Sequence, residues 1–188
     1  NYYDNIVVSS CDEVYFREHG KAFLASAFAT NTPVLIHVIS PSKETLKILE
    51  KLSKKYKLSW SVEDLPNNEW SETKKRIYYA SRRIYIADFY WSIYEPLNTN
   101  IGILILDVDS IIRWPIDWSL FKAHICLWDR SDENLGSSLI EKKGMKIISN
   151  LFSRPTPWFK EAYNYIENKN FGYWFLDQEA LYETWNAK

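Results

Sequence analysis

Short apolar runs alternate along this chain with longer stretches in which apolar positions recur every three or four residues. Ile6, Val7 and Val8 begin a short buried strand that runs into Ser9, Ser10, Cys11 and Asp12. Phe16, Phe23, Leu24, Ala27 and Phe28 follow at helical spacing, a stripe suited to face a sheet, and Thr32-Pro33 ends it. Val34 to Ile39 predicts a second strand. Ser42 then reads as a helix cap, with Leu46, Leu49, Leu52 and Tyr56 on the inward face of an amphipathic helix. Leu58 to Val62 is long enough for a third strand. From Glu72 to about Trp91, the spacing of Ile77, Ala80, Ile84, Ala87 and Trp91 predicts a longer helix whose other face shows Arg76, Arg82 and Arg83. Pro96 and Asn98 to Asn100 predict a turn out of it.

Ile101 to Asp117, IGILILDVDSIIRWPID, is the stretch around which the rest is arranged. Ile103 to Leu106 suits a strand buried on both faces, and it delivers Asp107 and Asp109 to the strand's carboxyl end. Side chains alternate along a strand, so the two carboxylates point the same way and can share one cation, while Val108 turns into the core. Trp114 to Asp117 is a turn, and His124 to Trp128 a further strand. Asp129 to Lys146 is polar, contains Gly136 and Gly144 and has little periodicity, so it reads as a mobile loop. Ile147 to Phe152 is another strand. Thr156-Pro157 then starts a helix with Phe159, Ala162, Tyr163 and Ile166 inward, and Leu176 to Leu181 opens a last one. Strands alternating with helices predict an α/β fold with a mostly parallel central sheet and helices on both faces.

The chain of 188 residues is 46% apolar and 25% charged, the balance of one globular domain over residues 1–188. A net charge of -1 gives no electrostatic basis for binding nucleic acid or an anionic membrane. Lys51, Lys54, Lys55 and Lys57 read as a solvated helix face. No apolar run approaches the length needed to span a bilayer. Cys11 and Cys126 have no metal-ligand spacing and form no disulfide framework, so both are expected as packed thiols in a reducing, cytoplasmic setting. With 9 Trp and 13 Tyr, aromatic faces are available to stack on bases or sugar rings.

Several familiar devices are absent: a glycine-rich phosphate loop, a His-Glu-x-x-His or Cys-x-x-Cys pattern, and a Gly-x-Ser-x-Gly elbow. His19, His37 and His124 are scattered, and His37 falls in a strand as a core histidine. Four elements stand in order along the chain: Asp12-Glu13-Val14-Tyr15, Tyr79-Ala80-Ser81-Arg82-Arg83, Asp107-Val108-Asp109 with Pro115 beyond it, and Asp177-Gln178. In that order they resemble the nucleotide-sugar glycosyltransferases of the A-type fold, especially the group containing glycogenin and the bacterial lipopolysaccharide galactosyltransferases.

The resemblance implies the nucleotide-diphospho-sugar transferase fold and a hexosyltransferase of the retaining kind. Ser10 and Asp12 would line the nucleoside pocket, and Tyr15 would stack on the base. Arg83 would contact the donor, leaving Arg82 a surface charge. Asp107 and Asp109 would hold Mn²⁺ or Mg²⁺ against the diphosphate of a UDP-sugar, and Asp177 and Gln178 would stand near the donor sugar and a carbohydrate or other hydroxyl acceptor. Close relatives take a third metal ligand, a histidine, from beyond the Asp-Gln element, and no histidine follows Asp177 here. Truncation at the C-terminus, a metal completed by water and phosphate, and a domain without turnover each account for that. Two other functions stay open on the residues alone: an inactive nucleotide- or sugar-binding domain, and a haloacid-dehalogenase-like phosphatase, which also places Asp-x-Asp after an apolar strand.

Overall fold

The computed structural model describes residues 3–94, 101–123, 125–129, 148–173 and 175–186. The expected turn at Pro96 to Asn100 and His124 lie outside these residues. So does the Asp129 to Lys146 loop apart from Asp129 itself, which ends a strand. In chain order the strands are β1 (Asn5–Asp12), β2 (Val34–Ile39), β3 (Leu58–Glu63), β4 (Gly102–Ile105), β5 (Ile125–Asp129) and β6 (Ile148–Ser153). The helices are α1 (Glu13–Tyr15), α2 (Lys21–Ala29), α3 (Lys43–Ser53), α4 (Glu72–Tyr94), α5 (Trp158–Asn168) and α6 (Leu176–Asn186). A π-helical turn, Phe16–Gly20, joins α1 to α2, and a 3₁₀ turn, Trp118–Leu120, precedes β5.

One sheet holds the six strands in the order β3-β2-β1-β4-β6-β5. β1, β2, β3 and β4 pair in parallel, whereas β6 runs antiparallel to both β4 and β5. Every residue of β2 and β4 is buried, as a parallel sheet covered on both faces requires. Alternation sorts the strand residues into two cores. Ile6, Val8, Leu35, Ile39, Ile103 and Ile105 pack with α4, α5 and α6, while Val7, Val34, Ile36, Val38 and Leu104 pack with α2 and α3. Gly102 opens β4 because the Phe152 ring of β6 lies against it: a Cβ there would come within 2.7 Å of the ring. Among the described residues no helix is long and apolar enough to cross a membrane.

The strand and helix expectations hold within a few residues, but one side chain departs from them. Arg82, expected on the surface, is 8% exposed. An apolar stripe at helical spacing assumes one buried face, and α4 has two, since it packs on the sheet and is covered in turn by α5. Arg82 lies at this second interface. Its Nη1 donates to Tyr163 Oη at 2.7 Å, its Nη2 pairs with Glu63 Oε2, and its guanidinium lies 3.9 Å from the Tyr85 ring centre. Glu63 also accepts from Tyr78 Oη at 2.9 Å.

His37 is a core histidine as expected, with Nδ1 2.9 Å from Ser61 Oγ. Its Nε2 approaches Glu63 Oε1 at 3.3 Å without completing a hydrogen bond, and His37, Tyr78 and Arg82 all face the Glu63 carboxylate. Burial by itself would raise the Glu63 carboxyl. The His37 contact, the Arg82 hydrogen bond and the Arg82 charge together hold it below the ordinary value.

Breaking a buried pair strands the remaining charge, so Arg82→Ala should cost roughly 2–4 kcal/mol in urea denaturation, and Arg82→Lys should also destabilise because it lacks the planar fork. Exposed Arg76→Lys should stay within about 0.5 kcal/mol of the parent. Because the folded-state Glu63 value is depressed, the stability it contributes is present above its unfolded value and is lost as the pH falls through the folded one. Glu63→Gln should therefore be less stable than the parent at neutral pH and should flatten the acid limb of the stability profile. A variant with an unchanged acid limb would remove Glu63 from that account.

Candidate active site

β1 has parallel neighbours on both sides, β2 on one and β4 on the other. The connections from these strands leave in opposite directions, so a crevice opens at their carboxyl ends, the position at which open α/β sheets bind ligands.

On the β1 side, Asp12 Oδ1 accepts from the Tyr15 backbone N–H at 2.8 Å and caps α1. Glu13 turns the other way and accepts from the Ser42 N–H at 2.9 Å and the Thr45 hydroxyl at 3.1 Å, tying α1 to the start of α3. The π-helical turn that follows is a geometry frequent at functional sites. Tyr15 is 39% exposed and donates its hydroxyl to Asp109 Oδ2 at 2.9 Å, while its ring leans on His19 with centres 4.5 Å apart. Burial, then the Asp109 hydrogen bond, pushes its phenol up to about 12, so it is a hydrogen-bond donor at neutral pH. Ser10, expected to bind the donor, gives its hydroxyl proton to the Tyr79 carbonyl at 2.7 Å and so fastens α4 to β1.

On the β4 side the strand ends at Ile105, and the Leu106 N–H continues the pairing by donating to the Val8 carbonyl at 3.1 Å. A turn closed by the Ser110 N–H on the Asp107 carbonyl, at 3.0 Å, follows. Leu106 and Val108 are buried, whereas Asp107 and Asp109 are exposed, so the in-and-out alternation runs past the strand into the turn.

Arg83 reaches this turn from α4. Its Nη1 pairs with Asp107 Oδ1, and its Nη2 lies 3.5 Å from Asp177 Oδ2 on α6, which also accepts from Gln178 Nε2 at 3.3 Å. Asp177 stands in the first turn of α6, where the helix dipole favours a negative charge. The connection into α6 holds Asn170, Phe171 and Phe175 at φ of 53°, 53° and 68°, a strained conformation for bulky residues. Burial of Phe171 against Tyr78, with ring centres 5.2 Å apart, offsets part of that cost.

Two linked groups therefore share one edge. Asp12, Tyr15 and Asp109 form one, and Arg83, Asp107, Asp177 and Gln178 the other. Glu13 and His19, which orient and flank Tyr15, had no signal in the sequence, because their partners are fixed only by the fold. Asp107 and Asp109 are hard oxygen donors of the kind Mg²⁺ and Mn²⁺ take. Among the described residues no group of three or more His, Cys, Asp and Glu is assembled to hold a metal, so a cation there would draw its other ligands from phosphate and water. On those terms the residues fit, and the Arg83 guanidinium on Asp107 shows that the site accommodates positive charge.

No protein-family model matches the sequence, and no curated protein is significantly similar to it. Solved structures do share its shape. The glycosyltransferase GlyE of Streptococcus pneumoniae TIGR4 superposes with a TM-score of 0.55 at 14% identity, covering 97% of this chain and 43% of that one. The galactosyltransferase LgtC, solved with donor and acceptor sugar analogs, gives a TM-score of 0.51 at 14% identity, covering 96% of this chain and 70% of that one. The chain has the A-type glycosyltransferase fold. It spans less than half the length of GlyE.

If Asp12 serves the fold through its cap alone, Asp12→Ala should cost about 1 kcal/mol and Asp12→Asn only a few tenths, since asparagine caps as well. Thermal unfolding of the two variants measures this. Equal destabilisation by both would mean that the carboxylate charge, not the cap, holds α1.

Proposed function

We propose that this domain transfers a sugar from a nucleotide-diphosphate donor, a UDP-sugar, to an acceptor hydroxyl with the help of a divalent cation. The observation that carries the reading is the convergence of seven side chains from β1, α1, α4, the turn after β4, and α6 on the crevice where the sheet order reverses. The shared fold with glycosyltransferases is consistent with it.

In this reading Asp12 and Tyr15 receive the nucleoside, the carboxylate at its polar edge and the ring against its face. Arg83 offers a planar pair of donors to the diphosphate, the geometry phosphate oxygens take best. Asp107 and Asp109 would hold Mn²⁺ or Mg²⁺, which when bound supplies Lewis-acid stabilisation of charge on the departing diphosphate. Asp177 and Gln178 lie beyond Arg83, where they would orient the donor sugar and accept hydrogen bonds from, or donate them to, the acceptor. The family resemblance points to retention of the anomeric configuration.

Donor binding should then need the cation and both aspartates. In calorimetric titrations of uridine diphosphate with Mn²⁺, Asp107→Asn and Asp109→Asn should each weaken binding roughly tenfold or more, about 1.4 kcal/mol, with the circular dichroism spectrum unchanged. Binding that persists in chelator, and is equal in both variants, would defeat the metal-dependent transferase and favour a nucleotide-binding module.

A further inference from the structure

We infer that the carboxylate pair is masked by the protein's own side chains in the donor-free state, and accepts a divalent cation strongly only together with a nucleoside diphosphate. This rests on the function proposed above. Each aspartate is held by a side chain from a different element: Asp107 by the Arg83 guanidinium from α4, and Asp109 by the Tyr15 hydroxyl from α1. A cation approaching Asp107 meets a like charge already seated there. To engage Asp109 through Oδ2 as well, it must compete with the Tyr15 hydroxyl, which donates to that oxygen at 2.9 Å.

Both masking groups have a better use once nucleotide arrives. The guanidinium can turn to phosphate oxygens while keeping Asp177 as its second partner, and the Tyr15 ring can turn to the face of a base. Each contact opens to solvent on one side, since Tyr15 is 39% exposed and the Asp107 side chain 51% exposed, while the Arg83 side chain itself is 13% exposed. Tyr15 also sits directly before the π-helical turn, a point where helical hydrogen bonding is already irregular. Nucleotide binding thus unmasks both carboxylates, and by linkage the cation raises nucleotide affinity by the same factor as nucleotide raises cation affinity.

Calorimetric titration of Mn²⁺ alone into the parent, Tyr15→Phe and Arg83→Gln proteins tests this, followed by uridine diphosphate with saturating Mn²⁺. Tyr15→Phe keeps the ring and deletes only the mask on Asp109, so it should bind Mn²⁺ alone about threefold more tightly and show a smaller coupling factor than the parent. Arg83→Gln should bind Mn²⁺ alone about tenfold more tightly but uridine diphosphate about tenfold more weakly. A purely structural role for either residue would weaken both ligands together. If parent protein binds uridine diphosphate with Mn²⁺ but the Mn²⁺-alone affinity of Tyr15→Phe is unchanged, the masking is overturned and the proposed function stands. Failure of the parent to bind uridine diphosphate with Mn²⁺ overturns both.

Discussion

β1 carries parallel partners along both edges, and the positions of the other functional elements follow from that constraint. A parallel neighbour cannot be reached by a tight turn, so each connection from β1 and to β4 must cross a face of the sheet as a helix. With β2 on one side and β4 on the other, the crossovers diverge at the carboxyl ends. The short α1 therefore forms one lip of the crevice and the turn at Asp107 to Ser110 the other. Tyr15 and Asp109 join the two lips through a single hydrogen bond. The antiparallel pair β5 and β6 extends the sheet without altering this arrangement.

Two consecutive arginines on α4 illustrate how helix geometry divides labour. Successive residues project about 100° apart around a helix axis, so Arg82 and Arg83 face different surroundings. Arg82 points into the interface with α5, where the Glu63 carboxylate and three tyrosine rings surround it. Arg83 points to the crevice and spans the carboxylates of Asp107 and Asp177. A buried charge is costly to desolvate and is tolerated only with near-complete partnering, so Arg82 resists rotation of the helix. The same rotational setting presents Arg83 to the site. Ser10 adds a second fastening one turn earlier, through the Tyr79 carbonyl.

Much of this arrangement is legible in the sequence, because it depends on local periodicity and on chain order. Val34 to Ile39 reads as a buried strand and is one, and the Glu72 helix begins where its spacing says. Val108 turns inward between two exposed aspartates, as alternation requires. Alternating strands and helices specified a mostly parallel sheet, since that is the way such a chain buries both strand faces.

Tertiary structure alone decided what the polar side chains touch. Nothing near Arg82 in the sequence distinguishes it from Arg83, and its burial follows from the arrival of α5, some eighty positions later, over a helix face that periodicity assigned to solvent. Likewise nothing in the sequence shows that the Asp12 carboxylate accepts from the Tyr15 N–H or that the Ser10 hydroxyl donates to the Tyr79 carbonyl. Sequence patterns report which way a residue points relative to its own element. The partner it meets depends on how distant elements pack, and hydrogen bonds and ion pairs are directional and short in range, so their identities emerge only when the whole chain is folded.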